Sequence, residues 1–109
     1  MIHVLDELRV VPGSLSHVRD LVREIYEPAL TELGMALEHS WITPAVELFD
    51  EPTDLVLLWT VANTPAFWHA RRGTMTDPRV AEFWDAAAPM LAGRNRRIMV
   101  DAAQAGDVQ

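Results

Sequence analysis

Between Ile2 and Val11 apolar and polar positions alternate. Val4, Asp6, Leu8 and Val10 fall on one face, and His3, Leu5, Glu7, Arg9 and Val11 on the other. Period-two alternation closed by Pro12-Gly13 predicts a strand running into a turn. The period then changes. Leu15, Val18, Val22, Ile25, Ala29 and Leu33 form a helical stripe with Ser14 at the N-cap and Gly34 as the stop. Pro28 lies inside that stripe and lacks a backbone donor, so a kink is expected between Glu24 and Pro28. Alternation returns from Ala36 to Thr43, with Leu37, His39 and Trp41 on one face. Pro44 and the acidic turn from Asp50 to Asp54 bracket Val46 to Phe49, a piece with no assigned element. "DLVLLWTVA" is apolar on both faces, the pattern of a central strand covered on both sides.

The stretch "FWHARRGTMTDPRVAEFW", Phe67 to Trp84, predicts two helices divided near Gly73 to Asp77. Thr64-Pro65 and Asp77-Pro78 are cap-plus-proline starts. In the second helix Val80, Phe83, Trp84, Ala87, Ala88 and Leu91 recur at helical spacing, so both aromatics are assigned to packing. In the first, Phe67 faces the core and only Trp68 is expected to reach a cleft. A last strand runs from Arg96 to Asp101, and residues 103–109 form a polar tail to a single domain of residues 1–102. The order β-α-β-β-α-α-β, with right-handed crossovers, makes a split βαβ unit. The fold class is α+β: a ferredoxin-like, four-stranded antiparallel sheet with helices on one face.

Composition narrows the function. With 109 residues, 50% of them hydrophobic, the chain supports one modest core. No apolar run is long enough to cross a bilayer, and no basic-then-apolar leader opens the chain, so a soluble, cytoplasmic protein is expected. Cysteine is absent, which excludes disulfides and thiolate chemistry. A net charge of -7 argues against nucleic acid. All nine cations are arginine, and the Arg94, Arg96 and Arg97 cluster is read as a solvated strand edge.

"ELRVVPG", "LLWTVAN" and "TDPRVAEFW" resemble, in their layout, the NIPSNAP-like members of the dimeric α+β barrel superfamily. The resemblance extends over roughly Val4 to Val100 and rests on structural motifs. It implies a homodimer whose two sheets face each other, with a ligand cleft between each sheet and its helices. Related subfamilies include cofactor-independent monooxygenases, cyclases, isomerases and haem-degrading enzymes. The haem-degrading branch uses an Asn-Trp-His set, and an ungapped match puts Asp6, Trp68 and Phe83 at those positions. Phe cannot ligate iron, so haem is not expected.

Two residues carry the candidate chemistry. Asp6 sits on an otherwise apolar strand face, where an unpaired carboxylate would cost several kcal/mol. It is a candidate general base or His-orienting carboxylate; the alternatives are exposure at a frayed end or a register slip. His39 is a candidate acid–base partner if it shares the helix face with Asp6 and Trp59. Trp59, Trp68 and Trp41 are candidate stacking walls, though each also suits core filling. Tyr26, beside the kink, is a candidate phenol for the same cleft, and His69, with Arg71 and Arg72, for its mouth. Glu7 and Arg9 are expected to meet the partner sheet. No HExxH, phosphate-binding glycine loop, GxSxG or dinucleotide fingerprint is present, and the four His residues lack metal-ligand spacing. The leading reading is a cofactor-independent, metal-free enzyme of monooxygenase, cyclase or isomerase type, acting on a small apolar, aromatic or polycyclic metabolite. The alternatives are a non-catalytic small-molecule-binding or accessory protein and a structural partner of another enzyme.

Overall fold

A computed structural model describes residues 1–105. Strand β1 (Ile2–Val10) leads to helix α1 (Leu15–Leu21), a π turn (Val22–Tyr26) and helix α2 (Glu27–Glu32). Strands β2 (Ala36–Thr43) and β3 (Thr53–Val61) follow, then α3 (Thr64–Thr76), α4 (Pro78–Ala87), a 3-10 turn (Ala88–Met90), β4 (Leu91–Val100) and α5 (Ala102–Ala105). The sheet order is β2-β3-β1-β4, with every neighbouring pair antiparallel. This is the expected ferredoxin-like arrangement. Of the expected polar tail, Ala103 to Ala105 are helical, and 106–109 lie outside the described residues.

The alternation in β1 and β3 separates two faces. Val4, Leu8, Val10, Leu55, Leu57 and Trp59 are buried beneath the helices, together with Val18, Tyr26, Leu30 and Phe83. Leu5, Val56 and Leu58 face the other way and stay half-exposed. The two-sided apolar pattern of β3 therefore has one covered face in the single chain. The other carries Trp41, 48% exposed, beside His39 with rings stacked 4.7 Å apart.

Where a kink is expected, ahead of Pro28, the helix carries a π turn. Just before that proline the Glu27 N–H donates to the Val22 carbonyl, five residues back, and the helix widens through Val22–Tyr26. Gly34, at φ +96, ends the helix in a conformation that side chains with a Cβ resist. The caps shift slightly from expectation. Ser14 makes no side-chain cap bond. Asn63, not Thr64, caps α3 by accepting the Ala66 N–H at 2.9 Å, and Asp77 caps α4 through the Arg79 N–H at 2.9 Å.

Two strands differ more. In β2 Leu37 pairs with Trp59 but His39 pairs with Leu58, leaving Glu38 as an extra residue. A bulge of one residue inverts the alternation after it. Leu37 therefore faces the helices, whereas His39 and Trp41 face the open side. Strand β4 begins at Leu91, five residues before the expected Arg96, because β1 supplies a ladder for "LAGRN" despite its weak strand composition.

Phe83 is fully buried, with its ring 4.3 Å from that of Tyr26, whereas Trp68 is 50% exposed. Phe83→Ala should cost roughly 3–5 kcal/mol, and Trp68→Ala about 1 kcal/mol or less. Thermal melts of the two variants check this. Equal losses would show that the packing roles of the two aromatics are misassigned.

Candidate functional site

Asp6 is the middle residue of β1 and points toward the helices, with its side chain 4% exposed. The register sets Arg96 directly opposite on β4 and Leu57 opposite on β3. Two residues beyond Leu57, Trp59 lies diagonally across the pair. Arg96 grips the carboxylate with Nε to Oδ1 at 2.6 Å and Nη2 to Oδ2 at 3.0 Å. Trp59 donates Nε1–H to Oδ2 at 3.1 Å, and the Tyr26 hydroxyl donates to the same oxygen at 3.3 Å. Arg96 Nη2 also donates to the Tyr26 oxygen at 3.0 Å. Among the described residues no buried side-chain polar atom lacks a partner. A carboxylate in apolar surroundings is tolerated because charge and hydrogen bonds are both supplied.

Tyr26 reaches this cluster from the end of the π turn. Its ring stacks on Phe83 and meets the edges of Trp59 and Trp84 at 5.6 and 5.4 Å. Burial first, then the Asp6 charge, pushes the phenol above its ordinary pKa, against the pull of Arg96 and Arg94. Burial works against the Arg96 charge, but the Asp6 carboxylate outweighs it and holds the guanidinium above its usual range.

Above the cluster opens a cleft of about 540 Å³. Asp6, Tyr26 and Arg96 lie at its floor, Trp84 and Val80 of α4 form one wall, and Thr74 to Pro78 and Arg94 border the rest. Arg94 lies 4.1 Å over the Trp84 ring. Of the expected cavity of Asp6, Trp59 and His39, Asp6 and Trp59 share the helix face and meet Tyr26 there, while Trp59 is not among the residues that line the cleft. His39 and Trp41 are not part of it, since the Glu38 bulge places them across the sheet. Trp68 and His69 are exposed on α3 and do not border the cleft; Trp84, assigned to packing alone, does. Arg96, read as a solvated edge residue, is the residue the sequence reading missed. The available signal was Asp6 itself, which needs a cation from a neighbouring strand. Among the described residues no three His, Asp or Glu side chains group to hold a metal ion.

Tyr26 is the chain's one tyrosine, so phenolate absorbance reports it alone. A free phenol ionises near pH 10. Below that pH both states are protonated, and stability does not change through this group. Above it the unfolded chain loses its proton while native Tyr26 keeps it, so stability falls as pH rises. Absorbance titration should show no phenolate at about pH 10.5 until the protein unfolds. Ionisation at the ordinary pH in the folded state would contradict the buried hydrogen-bonded placement.

No protein family description and no curated protein sequence matches the chain. Solved structures do. A NIPSNAP domain protein from Burkholderia xenovorans superimposes with a TM-score of 0.75 at 17% identity, covering 94% of this chain and 96% of that one. A NIPSNAP family protein from Agrobacterium tumefaciens gives 0.73 at 18% identity, covering 93% and 92%. A provisionally assigned antibiotic biosynthesis monooxygenase from Nitrosomonas europaea gives 0.68 at 17% identity, covering 94% and 99%. At such identities the likeness is one of fold: the chain has the fold of the dimeric α+β barrels, shared by NIPSNAP domain proteins and antibiotic biosynthesis monooxygenase-like proteins.

Proposed function

We propose that the protein works as a homodimer that binds a small, flat, largely apolar molecule in the cleft over Asp6 and Arg96 and transforms it without a cofactor, by oxygenation, cyclisation or isomerisation. The observation that carries this reading is the convergence of Tyr26, Trp59 and Arg96 on one buried carboxylate at the floor of an open, Trp84-walled cleft. Buried polar clusters beneath a partly apolar cleft are the usual setting of a small-molecule site. The likeness in fold to a provisionally assigned antibiotic biosynthesis monooxygenase is compatible with it.

In this reading Asp6 has a different task from proton abstraction. Both its oxygens are engaged, by four hydrogen bonds in all, so it orients Arg96 and Tyr26 and is not free to act as a base. Arg96 keeps the N–H groups of its second terminal nitrogen, which can polarise a substrate oxygen. His39, on the opposite face, cannot exchange a proton with Asp6 directly. The same engagement of Asp6 favours a second reading, a protein that holds the molecule without changing it.

The open sheet face supports the dimer reading. Arg9 pairs with Asp54 at 3.0 Å and Glu7 with Arg97 at 3.3 Å, both within the chain. These charges, expected to meet a partner sheet, neutralise one another across neighbouring strands. Leu5, Val56, Leu58, Trp41 and Met99 are left as an apolar centre suited to a second copy.

Native mass spectrometry of the protein from its own source should show twice the 12.2 kDa chain mass plus one small conjugated molecule per chain. Trp84→Ala should weaken retention about tenfold, since a stacked ring contributes roughly 0.5–1.5 kcal/mol beyond area burial. Mixing the released molecule with fresh protein in air separates the two readings, because only an enzyme changes its mass or structure. A stable monomer would end the dimer reading, and undiminished retention by Trp84→Ala would end the cleft assignment.

A further inference from the structure

The cleft is bordered by charges of both signs. Four charged side chains line it: Asp6, Asp77, Arg94 and Arg96. Asp6 is neutralised by Arg96. Asp77 is paired with Arg79, whose Nη2 lies 2.8 Å from Oδ2 and whose Nε lies 3.1 Å from Oδ1, and which Glu32 shares at 2.6 Å. That leaves Arg94. Among the described residues it takes part in no ion pair, even though Asp85 borders the smaller neighbouring cleft that Arg94 also lines. Arg19, Arg71 and Arg72 also lack an ion pair among the described residues, but of these four arginines only Arg94 borders the cleft.

Arg94 is also placed for a ligand. It precedes Arg96 by two residues on β4 and so shares its face of the sheet. Its guanidinium carbon lies 4.1 Å from the Trp84 ring centroid, a cation–π contact that limits its freedom before any ligand arrives. Two guanidinium groups and an indole therefore border one cleft, while the acids there are already held. A neutral flat molecule would use the indole and leave Arg94 without a partner. A flat anion would use both.

We infer that the cleft receives a planar organic anion, a conjugated carboxylate, phenolate or enolate, with its negative oxygen on Arg94 and its ring against Trp84. This rests on the reading of the cleft as the ligand site and names its ligand class. It also explains how a site with no free base could serve a reaction: the substrate arrives already ionised, and the arginines hold its charge.

The test uses two probes of one shape, 2-naphthoate and the neutral 2-naphthamide, titrated into the protein by calorimetry. Naphthoate should bind roughly tenfold to a hundredfold more tightly than the amide, the range of a hydrogen bond to a charged group. Arg94→Gln should erase that preference and leave amide binding in place, while Arg94→Lys should keep part of it. Thermal melts confirm that each variant is folded. Trp84→Ala should weaken both probes together. Equal affinities for the two probes, or a preference that survives Arg94→Gln, would overturn the anion inference and leave the cleft standing. Binding of both probes unaffected by Trp84→Ala would place them elsewhere, and the cleft assignment itself would fall. Binding of neither probe would contradict both.

Discussion

A carboxylate at the centre of a buried strand face must find a cation, and the rest of this molecule is arranged around that requirement. Asp6 has Arg96 directly opposite, Trp59 diagonally across, and Tyr26 descending from the helix layer. One residue thereby joins the two central strands, the edge strand β4 and the π turn. Leaving Asp6 unpaired would cost several kcal/mol, so the position of each partner is over-determined. The π turn belongs to the same arrangement. Pro28 interrupts the helix ladder, the turn widens, and Tyr26 at its end reaches Asp6.

Strand parity decides what shares the site. Asp6 and Trp59 lie on one face because β1 and β3 alternate without interruption. Glu38 inserts one residue into β2, and everything after it changes face. That single residue separates His39 from Asp6 and sends Trp41 to the open side of the sheet. Two surfaces result: a cleft with a buried polar floor, and an apolar sheet face with its charges paired within the chain.

Much of the fold was legible. Alternation placed β1, β2 and β3, the helical stripe and Gly34 bounded the first helical segment, and the Asp-Pro start located α4. Asp6 stood out because a charge on an apolar face contradicts its neighbours. Its partner was not legible from local pattern. Arg96 is 90 positions away, in a run of arginines that reads as a solvated edge. Topology could have found it, since the split βαβ order pairs β1 with the last strand. The bulge was hidden for a different reason: Leu37, Glu38 and His39 fit an unbroken alternation as well as a bulged one, and only the pairing with β3 distinguishes them. Trp84 was assigned to packing correctly in part, because helical spacing shows which side a residue faces but not whether that side is fully covered.

The central claim is that Asp6 is an anchor held by Arg96, and a double-mutant cycle tests it most directly. Denaturant unfolding would be compared for Asp6→Val, Arg96→Met and the double variant. Arg96→Met strands a buried carboxylate, so it should lose more stability than Asp6→Val, which leaves a guanidinium whose side chain is already 32% exposed. The larger loss should fall at or below the roughly 3–5 kcal/mol of fully buried pairs. The double variant should recover part of it, giving a clear coupling energy between the two sites. Strictly additive losses, or a greater loss from Asp6→Val, would contradict the account.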